Sequence, residues 1–151
     1  MSVRLSAPAP PERPRQLNVP LLASRAKRVL RELGHSRSEL SLALVDNAKI
    51  QALNREWRNR SRPTDVLSFS LLEGDHARHR ASLLGDVVIG LEVARKQAAR
   101  RHRSLDEEVS RLMIHGVLHL LGHDHVKSEE ARVMRSEERR LWGAVRESAT
   151  R

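Results

Sequence analysis

The sequence predicts an α+β fold: a single domain in which a small mixed β-sheet packs against several helices. Three observations lead there. Segments of alternating apolar residues are interleaved with segments of helical period in the first part of the chain, whereas the last part carries helical period alone. A chain of 151 residues can bury one core and is short for two. No segment repeats another.

The elements follow in order. Residues 1–17 hold Pro8, Pro10, Pro11 and Pro14 without apolar periodicity, so a flexible Pro/Arg-rich arm is expected there, with the folded domain over residues 18–151. Behind Pro20, a first-turn residue, Leu21, Leu22, Ala26, Val29, Leu30 and Leu33 recur at helical spacing, and Gly34 stands just past the end. Leu40, Leu42 and Leu44 alternate within Glu39–Asp46, which predicts a strand, and Asn47 is expected to cap a helix running to about Trp57. A basic loop, Arg58–Pro63, comes next. Val66–Leu71 and Leu83–Ile89 read as two further strands joined by the polar, histidine-bearing loop Glu73–Ser82. A helix is expected over Leu91–Arg101, and Ser104 with Glu107 has the capping-box spacing that opens another. The last helix, Ser128–Val145, carries Ala131, Met134, Glu138 and Leu141 at three-to-four spacing.

Composition narrows the function. Cysteine is absent, which removes disulfides, cysteine-based zinc sites, thiol nucleophiles and iron-sulfur clusters together, so any metal must be held by histidines and carboxylates. The 28 Lys+Arg exceed the 19 Asp+Glu, giving a formal net charge of +9, which suits a polyanionic partner and also a merely solvated basic surface. Only Trp57, Phe69 and Trp142 are aromatic, too few for a base-stacking platform, so a nucleic acid would be held mainly through its phosphates. No run of about 18 apolar residues occurs, and the first residues lack a signal-peptide core. A soluble, cytoplasmic protein without membrane contact is expected.

The chemistry concentrates in His115-Gly116-Val117-Leu118-His119-Leu120-Leu121-Gly122-His123-Asp124-His125. His115 and His119, four residues apart on one helix, project from one face with Cβ atoms about 6 Å apart, close enough to share an ion. Gly122 can end that helix in the left-handed conformation and let the chain swing back to deliver His125 as a third ligand. Three protein ligands leave a fourth position for water, the arrangement of a catalytic zinc site. Val109, Leu112, Met113, Val117 and Leu120 form the core-facing stripe beside the pair. Singly, each histidine reads as a core-edge side chain; the triple with its glycine reads as a metal site. The spacing is metzincin-like, H-E-x-x-H-x-x-G-x-x-H, but Gly116 stands where the general-base glutamate belongs. A peptidase needs that carboxylate.

The stretch His115–His125, together with Pro63–Phe69 (PTDVLSF), Asn54–Arg58 (NREWR) and Leu84–Val88 (LGDVV), resembles the YbeY family of endoribonucleases, bacterial rRNA maturation factors, over about residues 18–145. The resemblance implies an α+β fold with a small sheet and one zinc ion held by His115, His119 and His125. It also implies cleavage of single-stranded RNA tied to 16S rRNA 3′-end processing and ribosome quality control, with rRNA and the ribosome or its subunit as partners. The family's functional arginine follows an aromatic residue, which matches Arg58 behind Trp57 and makes Arg58 the candidate catalytic residue. Ser70 stands where the family usually has proline, and the Pro-rich arm is extra.

Other residues are assigned more modestly. Arg60 and Arg62 read as a solvated loop, Asp65 as a turn or cap residue, and Met134 as helix core. Arg95, Lys96, Arg100, Arg101 and Arg103 form a second basic cluster able to track phosphates. Two alternatives to the nuclease stand beside it: a non-catalytic ribosome-assembly factor with a structural metal, kept open by Gly116, and a metal-dependent peptidase, favoured only by the histidine spacing.

Overall fold

In a computed structural model, residues 2–70, 83–124 and 126–147 are described. The chain runs β1 (Ser2–Ser6), α1 (Val19–Glu32), β2 (Glu39–Val45), α2 (Asn47–Arg58), β3 (Val66–Ser70), β4 (Leu83–Gly90), α3 (Leu91–Arg100), α4 (Leu105–Leu120) and α5 (Ser128–Val145). The strands lie in the order β1-β2-β4-β3, the first three mutually parallel and β3 antiparallel to β4. The expected α+β domain with a small mixed sheet is what the chain forms. The loop expected over Glu73–Ser82 lies outside the described residues.

Alternation along the strands sorts side chains to two faces. Leu40, Leu42 and Leu44 of β2, with Val87 and Ile89 of β4, meet Leu22, Val29, Met113, Val117 and Leu141 from α1, α4 and α5 in the main core. On the other face, Val88 and Leu67 close over Ile50 of α2, with Leu53 and Phe69 at the margin. Met134 belongs to the main core, as its spacing implied. No helix among the described residues is long and apolar enough to cross a membrane.

Two local expectations change. Part of the arm expected to be flexible over residues 1–17 is strand: Ser2–Ser6 pairs with β2, Val3 opposite Leu40 and Leu5 opposite Leu42, and both apolar side chains pack on the main core. Two alternating residues beside a proline cluster are too weak a pattern to announce a strand; the exposed edge of β2 supplies the template. Helix α2 is capped by Asp46, whose Oδ1 accepts from the Lys49 amide at 2.8 Å, while the Asn47 side chain donates to Glu92 at 3.1 Å. Adjacent Asp and Asn are both competent caps.

Helix α4 is framed as its sequence implies. The Ser104 hydroxyl accepts from the Glu107 amide at 3.0 Å. At the other end Gly122 takes φ +94, its amide donates to the His119 carbonyl at 3.0 Å, and the His123 amide donates to the Leu118 carbonyl at 3.0 Å. This pair of bonds is the Schellman closure. The helix therefore stops just beyond His119.

The start of α4 is held by a buried charge. Glu108 is wholly inaccessible, and its two oxygens accept from Arg101 Nη1 at 2.8 Å and Arg103 Nη1 at 3.3 Å. Both arginines reach solvent, so the carboxylate is the member that depends on the pairing. Replacing Arg101 and Arg103 together with alanine leaves that carboxylate buried and uncompensated, with an expected loss of about 3–5 kcal/mol in urea unfolding. Adding Glu108→Leu should recover most of it; a double variant as stable as the parent would refute the role.

Candidate active site

His115 and His119 lie one turn apart on α4, partly exposed beside its buried stripe. Their Nε2 atoms are 3.1 Å apart, with ring centroids 4.6 Å apart and planes at 71°. Two nitrogens at tetrahedral angles, each about 2.0–2.1 Å from a zinc ion, are separated by about 3.3 Å. The pair therefore fits the bite of one ion. On the far side of the first ring, His115 Nδ1 is 3.2 Å from Glu138 Oε2 of α5. His125 lies outside the described residues, and among those described no three His, Cys, Asp or Glu side chains form a group able to hold a metal.

A cleft of about 720 Å³ opens over the two histidines, and Arg58, Arg60 and Arg62 line it with Ser68 of β3. Arg58 ends α2, where Asn59 turns left-handed at φ 59 and the Asn59 and Arg60 amides both donate to the Asn54 carbonyl. Its Nη2 donates to the Ser68 carbonyl at 2.7 Å, its Nη1 to the Trp57 carbonyl at 3.0 Å, and its guanidinium lies 4.8 Å from the centre of the Phe69 ring. Ser68 also donates from Oγ to the Gly116 carbonyl at 2.8 Å, tying α4 to the same strand. Arg60 and Arg62 are exposed, as a loop implies, yet they face the cleft.

Gly116 proves to be a packing residue. A Cβ built there would sit 2.6 Å from Val87 Cγ1 and 3.1 Å from Ser68 Oγ, so position 116 faces the sheet and not the histidines. The missing general base therefore has a steric answer: any side chain at position 116 would have to displace Val87 of β4.

The family profile described as endoribonuclease YbeY matches residues 14–146. The chain belongs to the endoribonuclease YbeY family. Among curated relatives named endoribonuclease YbeY, that of Carboxydothermus hydrogenoformans is 51% identical over 106 residues, 70% of this chain and 71% of the relative. That of Pelotomaculum thermopropionicum is 44% identical over 128 residues, covering 83% and 84%. The solution structure of TM1509 from Thermotoga maritima superposes with a TM-score of 0.58 at 21% identity, covering 95% of this chain and 91% of that one, which establishes the shared fold.

Within this YbeY-family chain the motif PTDVLSF has a structural explanation. Asp65 Oδ1 accepts from the Val66 amide at 2.8 Å, its Oδ2 accepts from Gln97 at 3.2 Å, and its carbonyl accepts from Gly90 N at 2.9 Å, which fits the turn role expected of it. Of the second basic cluster, Arg101 and Arg103 are engaged by Glu108, while Arg95, Lys96 and Arg100 remain on the exposed face of α3. Behind His115 a further cavity of about 530 Å³ is lined by Glu138, Arg111 and Arg135, among others. Glu138 is the site residue that sequence reasoning missed. Its signal was a carboxylate at a core-facing position of the last helix, between Met134 and Leu141.

Proposed function

We propose that this chain is a zinc-dependent, single-strand-specific endoribonuclease of the cytoplasm, acting on rRNA in 16S 3′-end maturation and ribosome quality control. One observation carries the reading: a two-histidine bite and three arginines share one cleft. Imidazole nitrogens suit zinc, and guanidinium groups suit a phosphodiester, whose charge rises in the transition state. The relatives' printed name, endoribonuclease YbeY, points the same way.

In this reading His115, His119 and His125 hold one zinc ion. Zinc at such a centre supplies Lewis acidity toward a phosphoryl oxygen and lowers the pKa of water to about 7. The remaining work belongs to the chain. Arg58, held in place by the Ser68 carbonyl, directs its guanidinium at the reacting phosphate. Arg60 and Arg62 grip neighbouring phosphates, so binding follows the backbone more than the bases. The ribosome or a ribosomal subunit presents the RNA.

The absence of a carboxylate at position 116 favours one competing reading, a ribosome-assembly factor that binds RNA around a structural metal. A peptidase is disfavoured twice: Gly116 cannot act as base, and Arg58 occupies the Ser68 carbonyl on the outer edge of β3, where an extended peptide would pair. Zinc-loaded and chelator-stripped protein, each incubated with single-stranded RNA, duplex RNA and casein, separates the three. Cuts confined to single strands and to loaded protein are expected. Equal cutting by stripped protein overturns metal dependence, casein fragments select the peptidase, and intact substrates throughout select the assembly factor.

A further inference from the structure

We propose that Glu138 is a positioning residue: its carboxylate holds the His115 ring in the tautomer that presents the Nε2 lone pair to a metal, and so sets the metal affinity of the centre. The inference rests on the reading of His115 as a ligand. Glu138 Oε2 lies 3.2 Å from His115 Nδ1, while Nε2 of the same ring lies 3.1 Å from His119 Nε2. A carboxylate oxygen accepts from Nδ1–H, and in the neutral ring a hydrogen on Nδ1 leaves the lone pair on Nε2.

The packing of α5 makes the contact a fixed one. Met134 and Leu141, a turn before and a turn after Glu138, are buried in the main core, so α5 cannot carry the carboxylate away without opening that core. The cavity behind His115 reaches the same carboxylate. Without the Glu138 acceptor the Nδ1–H tautomer loses this stabilisation, the other neutral tautomer gains population, and binding would have to select the competent one. The adjacent Glu137 serves another purpose: the hydrogen bond from Arg140 holds its carboxyl below the ordinary range. It is the natural control.

The test compares the full chain with Glu138→Ala, Glu138→Gln and Glu137→Ala. Zinc affinity is read by competition with a chromophoric chelator, and the His115 tautomer by ring-nitrogen NMR of the zinc-free protein. Glu138→Ala should weaken zinc binding by about 10- to 100-fold and convert a single Nδ1–H signature into a mixture. Glu138→Gln, which keeps an acceptor oxygen, should recover part of both and serves if the alanine variant fails to fold. Glu137→Ala should leave both at parental values. Parental affinity or an unchanged His115 signature in Glu138→Ala overturns the proposal. A parent that binds no zinc defeats the ligand reading instead, and the tautomer measurement then stands by itself.

Discussion

Alanine in place of His119 is expected to remove zinc binding and RNA cleavage together. His119 sits in the last turn of α4, partly exposed, and alanine favours a helix more than histidine does, so the variant keeps its fold. What disappears is one of two nitrogens converging on a point, so the bite of the pair is lost. Loss of an outer partner to a ligand already lowers affinity about 10- to 100-fold, so loss of a ligand should exceed about 100-fold. Cleavage should fall to the level of chelator-stripped parent. Zinc content after dialysis, cleavage rate and circular dichroism measure the three parts. Undiminished cleavage by the metal-free variant would defeat the zinc-dependent reading.

Glutamate at position 116 recreates the complete H-E-x-x-H spacing, and the expected outcome is an unfolded protein rather than a peptidase. The first added carbon would lie 2.6 Å from Val87 Cγ1 and 3.1 Å from Ser68 Oγ. Overpacking by a methyl group alone costs about 1–3 kcal/mol, and a carboxylate buried without a partner adds several more. Their sum rivals the whole stability of an ordinary domain, about 5–15 kcal/mol. Thermal unfolding followed by circular dichroism should show little cooperative structure, and casein should stay intact. A well-folded Gly116→Glu protein that cuts casein would mean that this position faces the histidines after all.

Local patterns were legible in proportion to how local their causes are. Helix α4 could be drawn from sequence at both ends because Ser104, Glu107 and Gly122 act on backbone groups a few residues away. Strand β2 announced itself through alternation, which reports a buried face and a more open one. Strand β1 did not, because its identity comes from the edge of β2, across the whole length of α1. The same distinction divides the site. The His115–His119 pair is written into one turn of helix, whereas the approach of Glu138, the reach of Arg58 to Ser68 and the crowding at Gly116 arise only when separate elements meet. Gly116 is the instructive example: the motif comparison asked which chemistry was missing, and packing answers that the sheet lies there.

Ser68 has a mechanical consequence. Its carbonyl holds the Arg58 guanidinium and its hydroxyl holds the backbone of α4 at Gly116, one residue beyond His115. The cationic arm and the imidazole jaw are thus gauged from a single fixed point, like two blades set on one pivot. If thermal breathing or a distant substitution displaces β3, both parts ride with it and their separation is preserved. A substitution that breaks either Ser68 contact would uncouple them while leaving every reactive group in place, so alignment could fail without the loss of any ligand or charge.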